Sequence, residues 1–188
     1  ISYGSVNKGD YLAIIDDSIV RGTTLKKSIL RILDRLGPRK IIVISSAPQI
    51  RYPDCYGIDM AKLEDFIAFR AALELHRERG SMDVVDSIYE KCKEQLANPE
   101  REAVNHVKEF YAPFRTQELS DKIAELLSPP EIRAEVQIIY QTISNLHKAC
   151  PDNLGDWYFT GDYPTPGGNR VVNQAFVNFH EGKNQRAY

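Results

Sequence analysis

The order of patterns within the first 45 residues constrains the fold more than any other feature of the chain. Residues 11–15 form an apolar run that suits a buried strand of a parallel sheet, and this strand ends at Asp16. Residues 25–36 have a helical period, whereas residues 41–44 are β-branched and too few for a buried helix. The pattern predicts one parallel βαβ unit, whose helix has an apolar face made of Leu25, Ile29, Ile32 and Leu36.

The rest of the chain divides into two further parts. We predict an α/β fold in which residues 1–93 hold part of a Rossmann-like parallel sheet, and residues 94–150 form a helical extension. Residues 151–188 are rich in proline and glycine at their start and form a loop-rich C-terminal segment.

The sequence predicts three local elements in the second half of the chain. A helix is predicted to begin at Ser128, which acts as the N-cap, and to run to Leu146. Within the C-terminal segment, residues 157–159 are predicted to form a short strand. A short helix is then predicted to follow, with Asn169 as its cap.

Composition excludes several classes of protein. The net charge of −2 disfavours general binding of nucleic acid, which usually shows as a strongly basic face. No apolar run is long enough to predict a membrane-spanning helix, and the first residues do not resemble a signal peptide, so we expect a cytoplasmic protein without membrane contact. Cysteines at 55, 92 and 150 include no C-x-x-C pair, which argues against a disulfide framework or a zinc site.

The loop between the first predicted strand and helix carries the residues that indicate chemistry. Asp16 and Asp17 end the strand, and Gly22, Thr23 and Thr24 lead into the helix. Backbone N–H groups at a helix N-terminus favour a phosphate, and a glycine lets the backbone approach it closely. Because the threonine hydroxyls add further donors, the loop is suited to hold a monophosphate.

The charged residues around this loop suggest what else a ligand would carry. Arg21 or Lys26 is the candidate counter-charge for a phosphate, although Arg21 is equally compatible with a position in solvent. Asp16 and Asp17 can accept hydrogen bonds from two adjacent sugar hydroxyls or hold a hydrated divalent cation. A sugar phosphate satisfies both halves of the motif. An isolated acidic pair is more often a solvated turn at a strand end. The spacing of this pair to Gly22, Thr23 and Thr24 favours a binding site instead.

The stretch IDDSIVRGTT, residues 15–24, resembles the phosphoribosylpyrophosphate (PRPP) motif of the type I phosphoribosyltransferases. Together with SSAPQIRYPDCYGIDM, residues 45–60, it is similar to the glutamine PRPP amidotransferases, which start purine synthesis. The resemblance is clear over residues 1–70 and weaker beyond. It implies that the chain is the C-terminal part of such an enzyme, with part of a phosphoribosyltransferase fold.

The resemblance implies a role for each residue of the motif. Asp16 and Asp17 would contact the ribose hydroxyls of PRPP and its Mg²⁺, and Ser18 would shape the loop. The phosphate would be held by the next part of the loop, which contains Arg21, Gly22, Thr23 and Thr24. The family's reaction displaces pyrophosphate from the ribose C1 by ammonia, and no catalytic residue falls in this part. The segment from Tyr56 to Asp59 lies near the family's active-site rim, without an assigned role.

The departures from the family pattern lead to further expectations. The glutamine-hydrolysing domain, the pyrophosphate loop and the closing loop are absent, so we expect a fragment that is inactive alone and that does not hydrolyse glutamine. No iron–sulfur cluster is expected, because the C-x-x-C pair that some members carry is missing. The family also implies purine nucleotides as inhibitors and a homo-oligomer.

Two other functions remain open. The first is a non-catalytic regulator that reuses the phosphoribosyltransferase fold to bind PRPP, which the weak charge disfavours. The second is a base-specific phosphoribosyltransferase, which would share only the shorter PRPP motif. An aromatic run at residues 157–159 is compatible with base stacking, but packing onto the core is favoured.

Overall fold

Three parallel strands form the sheet in the computed structural model, which describes residues 4–55, 60–153 and 155–187. The strands are β1 (Tyr11–Asp16), β2 (Lys40–Ser45) and β3 (Glu135–Tyr140), in the order β1-β2-β3. Leu12 pairs with Ile41, which pairs in turn with Val136. The predicted α/β class and the parallel βαβ unit are confirmed, and the fold is consistent with part of a Rossmann-like phosphoribosyltransferase domain.

Helical elements and loops connect the strands and form the rest of the described chain. The helix predicted after β1 is present, as a π-helical turn followed directly by an α-helix, but Ile32 lies on its exposed side. The elements are the π-helical turn Leu25–Ile29, α1 (Leu30–Asp34), the 3₁₀ turn Leu63–Asp65, α2 (Ile67–Glu78), α3 (Met82–Ala97), α4 (Lys108–Tyr111), α5 (Thr116–Leu127), α6 (Ile143–Ala149), α7 (Trp157–Thr160) and α8 (Pro166–His180).

The helix predicted from Ser128 to Leu146 is wrong, because this stretch contains β3. The residues of β3 are mostly β-branched or aromatic and pair along their whole length with β2. Asp34 fixes the entry into the strand, since its Oδ1 accepts hydrogen bonds from the N–H groups of Arg133 and Ala134, both at 2.9 Å. The region 94–150 therefore contains a strand of the central sheet as well as helices.

The strand predicted at residues 157–159 is also wrong. These residues belong to α7, in which the amide N–H of Thr160 donates to the Asp156 carbonyl at 3.0 Å, and Gly161 ends the turn with φ of +73°. The predicted last helix is longer than expected and begins at Pro166. Thr165 caps it, because the Thr165 side chain accepts a hydrogen bond from the Gly168 N–H.

The two faces of the sheet differ in burial. Ile41, Val43 and Ile138 lie on the face that the helices cover, and each is at most 2% exposed. On the opposite face Tyr11 is 62% exposed and Ile15 is 77% exposed. Strand β1 was predicted to be buried, but only one of its faces is covered. Among the described strands it pairs with β2 alone and forms an edge.

The C-terminal segment holds the loop that follows β2. The Tyr158 carbonyl accepts hydrogen bonds from the N–H groups of Arg51 and Tyr52, at 2.8 and 3.1 Å. The Tyr163 hydroxyl donates to the Pro53 carbonyl at 2.6 Å. These contacts fix the chain just before it returns to the carboxyl end of the sheet at Met60. Within the described residues, no helix is long and apolar enough to cross a bilayer.

Candidate functional site

The carboxyl ends of β1 and β2 hold the acidic pair in place. The Ser46 N–H donates to the Asp16 carbonyl at 2.9 Å, and the Ala47 N–H donates to the Asp17 carbonyl at 3.0 Å. The Ser46 hydroxyl also donates to the Asp16 carbonyl. Backbone pairing therefore continues past the strands and fixes both aspartates at the edge where open α/β sheets bind ligands.

The two carboxylates have different surroundings. Asp16 is half-buried and lines a cavity, and its Oδ1 accepts a hydrogen bond from the Asp17 N–H at 3.1 Å. Asp17 is exposed and does not line this cavity, and its Oδ1 accepts from the Ser18 N–H at 2.6 Å. Only one of the two predicted aspartates thus lines the cavity.

The loop turns into the helix at Gly22, which has φ of +67°. The Lys26 N–H donates to the Gly22 carbonyl at 3.0 Å, so the first helical turn includes Thr23 and Thr24. The N–H groups of these two threonines donate to no other residue in the part of the chain that the structure describes. They are free to bind an anion, as expected at a helix N-terminus. The π-helical turn that follows is a feature often found near functional sites.

Helix α5 packs against this turn. A β-carbon added to Gly22 would lie 2.5 Å from Leu127 Cδ2, so the glycine backbone packs directly on that side chain. Lys26 Nζ donates to the Leu126 carbonyl at 2.7 Å. Lys26, one of the two candidate counter-charges, is therefore bound to the C-terminal end of α5. It does not line the cavity.

Arg21, the other candidate counter-charge, is held by the 3₁₀ turn. Its Nη2 lies 3.0 Å from Asp65 Oδ2. The Ile67 N–H also donates to the Val20 carbonyl at 2.8 Å, which joins the start of α2 to the loop. The Arg21 side chain is 56% exposed, and Arg21 lines the cavity.

A cavity of about 700 Å³ brings these residues together. Its size is within the range of small-molecule sites. Six of the seven predicted site residues line it, Asp17 being the exception. The lining residues are Asp16, Ser18, Ile19, Val20, Arg21, Gly22, Thr23, Thr24, Leu25, Ile29 and Met60.

The cavity also contains residues that were not predicted from the sequence. Ile19, Leu25 and Ile29 form its apolar wall, and their apolar pattern alone indicates only core packing. Met60 reaches the site from a distant loop and has φ of +58°, an uncommon conformation for a residue with a side chain. The segment from Tyr56 to Asp59 lies outside the described residues.

Within residues 4–55, 60–153 and 155–187, no group of three or more His, Cys, Asp or Glu side chains is placed to hold a metal ion. Mg²⁺ commonly uses only one or two protein carboxylates and takes its other ligands from water and substrate phosphates, so Asp16 and Asp17 are compatible with it. Burial raises the pKa of the Cys92 thiol to about 12, which disfavours the thiolate form that binds metals.

Several curated proteins match part of the sequence, although no protein-family model does. The match to a protein from Pseudomonas aeruginosa is 40% identical over 67 residues, 36% of this chain. The match to a protein from Escherichia coli is 46% identical over 55 residues, 29% of this chain. The match to a protein from Pyrococcus horikoshii is 40% identical over 77 residues, 40% of this chain. All three are amidophosphoribosyltransferases.

The chain resembles the amidophosphoribosyltransferases. These matches confirm the resemblance that the PRPP-like motif indicates. They span 13%, 11% and 17% of the lengths of the three amidophosphoribosyltransferases, so the chain corresponds to a small part of each relative.

Proposed function

We propose that this chain supplies the PRPP-binding part of an amidophosphoribosyltransferase that acts in purine synthesis. One observation carries the proposal: Asp16 and the helix start at Thr23 and Thr24 line the same cavity. A sugar phosphate needs both groups, because its hydroxyls donate hydrogen bonds to a carboxylate, whereas its phosphate accepts hydrogen bonds from N–H donors. The resemblance to amidophosphoribosyltransferases from bacteria and an archaeon supports this choice of ligand.

The phosphate of the ligand would bind at the turn after Gly22. The N–H groups of Thr23 and Thr24 and their hydroxyls are donors at the positive end of the helix. Positive φ at Gly22 shapes this turn, and the lack of a β-carbon there lets the turn pack directly on Leu127. Arg21 lines the same cavity and would add a charged donor.

The ribose and the metal would bind at the strand end. Asp16 lines the cavity, and its carboxylate would accept hydrogen bonds from ribose hydroxyls. Asp16 and Asp17 together would hold Mg²⁺, either directly or through water. When bound, Mg²⁺ would neutralise charge on the diphosphate of PRPP.

In the reaction proposed for the whole enzyme, ammonia forms a bond to the ribose C1 as the bond from C1 to the diphosphate oxygen breaks. The diphosphate leaves with the electron pair of that bond, and the new amine loses a proton. The residues of this chain would bind and orient the sugar, which lowers the entropic part of the barrier. We expect no turnover from the chain alone, because it provides only one part of the proposed site.

Calorimetric titration with ribose 5-phosphate, and with PRPP and Mg²⁺, tests the proposal. Replacing Thr23 and Thr24 together by Val removes two hydroxyl donors at nearly constant volume. Since a hydrogen bond to a charged group contributes about 1.5–3 kcal/mol, we expect each lost bond to weaken binding of both ligands at least about tenfold. Lys27→Gln is the matched control, because Lys27 is an exposed cation on the same helix that does not line the cavity.

The acidic pair is tested separately. Asp16→Asn should weaken the Mg²⁺-dependent binding of PRPP more than the binding of ribose 5-phosphate. Asp17→Asn shows whether a carboxylate outside the cavity contributes through the metal. Equal affinities for the wild-type chain and the threonine variant would refute the phosphate site, and no effect of Asp16→Asn would refute the sugar and metal site.

A further inference from the structure

Arg21 is the one cationic side chain among the residues described as lining the cavity, and it is already paired with an anion. Its partner, Asp65, is 44 residues away in sequence, and Nη2 and Oδ2 are 3.0 Å apart. The side chains are 56% and 37% exposed, so the pair is accessible to solvent and inexpensive to separate. The charge that would attract a phosphate is therefore already paired with the Asp65 carboxylate.

The backbone holds Asp65 firmly in this position. Its neighbours Leu63 and Phe66 are fully buried, and the Phe66 N–H donates to the Leu63 carbonyl at 3.0 Å. The hydrogen bond from the Ile67 N–H to the Val20 carbonyl joins the same turn to the loop that carries Arg21. The carboxylate is thus part of a fixed element beside the cavity, whereas the long Arg21 side chain can change partners.

We propose that Asp65 is a built-in counter-ion that competes with the ligand's phosphate for Arg21 and thereby sets phosphate affinity and selectivity. This inference rests on the proposed function, since it concerns the same cavity. Binding would exchange the pair of Arg21 with Asp65 for a pair of Arg21 with the phosphate. A phosphate dianion presents more charge and more acceptor oxygens to a guanidinium than one carboxylate does. A sugar without phosphate could not make this exchange.

Titration of the chain with ribose 5-phosphate, with Asp65→Asn as the main variant, tests the inference. The variant keeps the size of the side chain but removes the competing charge. Exposed ion pairs contribute about 0.2–1 kcal/mol, so we expect phosphate affinity to rise about 1.4- to fivefold. Glu64→Gln is the control, because it removes the same charge from the adjacent residue. Among the described residues Glu64 forms no ion pair with Arg21, so this variant should change the affinity less.

A double variant identifies Arg21 as the group through which Asp65 acts. Arg21→Gln should weaken binding, and adding Asp65→Asn to it should then give little further change. The inference is overturned if Asp65→Asn weakens binding, or matches Glu64→Gln, or has the same effect without Arg21.

The outcome also separates this inference from the proposed function. If the Thr23→Val, Thr24→Val variant loses binding while Asp65→Asn leaves it unchanged, only the counter-ion role is overturned. If neither the wild-type chain nor Asp65→Asn binds ribose 5-phosphate, both the counter-ion role and the phosphate site are overturned. Binding by Asp65→Asn alone would support both.

Discussion

Replacing Gly22 by Ala should destabilise the chain through two separate effects. The first is the positive φ of +67°, which costs a residue with a β-carbon about 1–2 kcal/mol. The second is steric, because the new β-carbon would lie 2.5 Å from Leu127 Cδ2 and 3.3 Å from its Cγ. Leu127 is only 2% exposed and has little room to move, so the overpacking should cost about another 1–3 kcal/mol.

Gly80→Ala is the matched control for Gly22→Ala. Gly80 has nearly the same φ of +65°, but a β-carbon there meets no atom within 4 Å. Urea unfolding should therefore show a loss of about 1–2 kcal/mol for Gly80→Ala and about 2–5 kcal/mol for Gly22→Ala. Equal losses for the two variants would refute the idea that the turn is packed tightly on Leu127.

Three further predictions concern the rest of the fold. Asp34→Ala leaves two backbone N–H groups before β3 without their acceptor and should lower the free energy of unfolding by about 2–4 kcal/mol in urea, whereas a loss below that of an average surface substitution would contradict this role. Burial raises the pKa of Cys92 to about 12, so iodoacetamide near pH 8 should label this thiol only after unfolding, as mass spectrometry of the peptides can show. Burial, and then Asp54, raise the pKa of Tyr158 from 10.0 to about 12. Its stabilising contribution is therefore complete below pH 10 and is lost as the pH rises from 10 to about 12. Tyr158→Phe should reduce the fall in stability over that pH range, and an identical pH dependence would contradict it.

The loop and the first two strands could be predicted because their signals are local. An apolar run, the acidic pair and the glycine before the threonines lie within residues 11–24, and each indicates its own conformation. The cavity then follows from the general rule that ligands bind at the carboxyl ends of parallel strands. Six of the seven predicted residues line it for this reason.

Strand β3 could not be predicted because its pattern also fits a helix. Val136, Ile139, Tyr140 and Ile143 are spaced as on one helical face, and proline before them is common in a first helical turn. Pairing with β2 decides the outcome, and β2 lies about a hundred residues earlier in the chain. Non-local hydrogen bonds of this kind override local preference.

The same limit applies to the partners of the site's charged residues. Arg21 was compatible with either a phosphate or solvent, and its contact with Asp65 depends on the position of a turn after β2. Lys26 was an equally good candidate from its position, but the C-terminal end of α5 supplies a carbonyl that binds it. Sequence spacing indicates which side chains are available, whereas the fold decides which of them are already paired.

Helix α5 links the region after residue 93 to the proposed phosphate site. Its last residues accept a hydrogen bond from Lys26 and pack against the backbone of Gly22. Strand β3, which follows α5, completes the sheet that carries Asp16. A shift of the C-terminal end of α5 would move the turn that holds Thr23 and Thr24, because Leu127 packs directly against the backbone of Gly22. The geometry of a loop near the start of the chain therefore depends on packing supplied by residues 100 positions later.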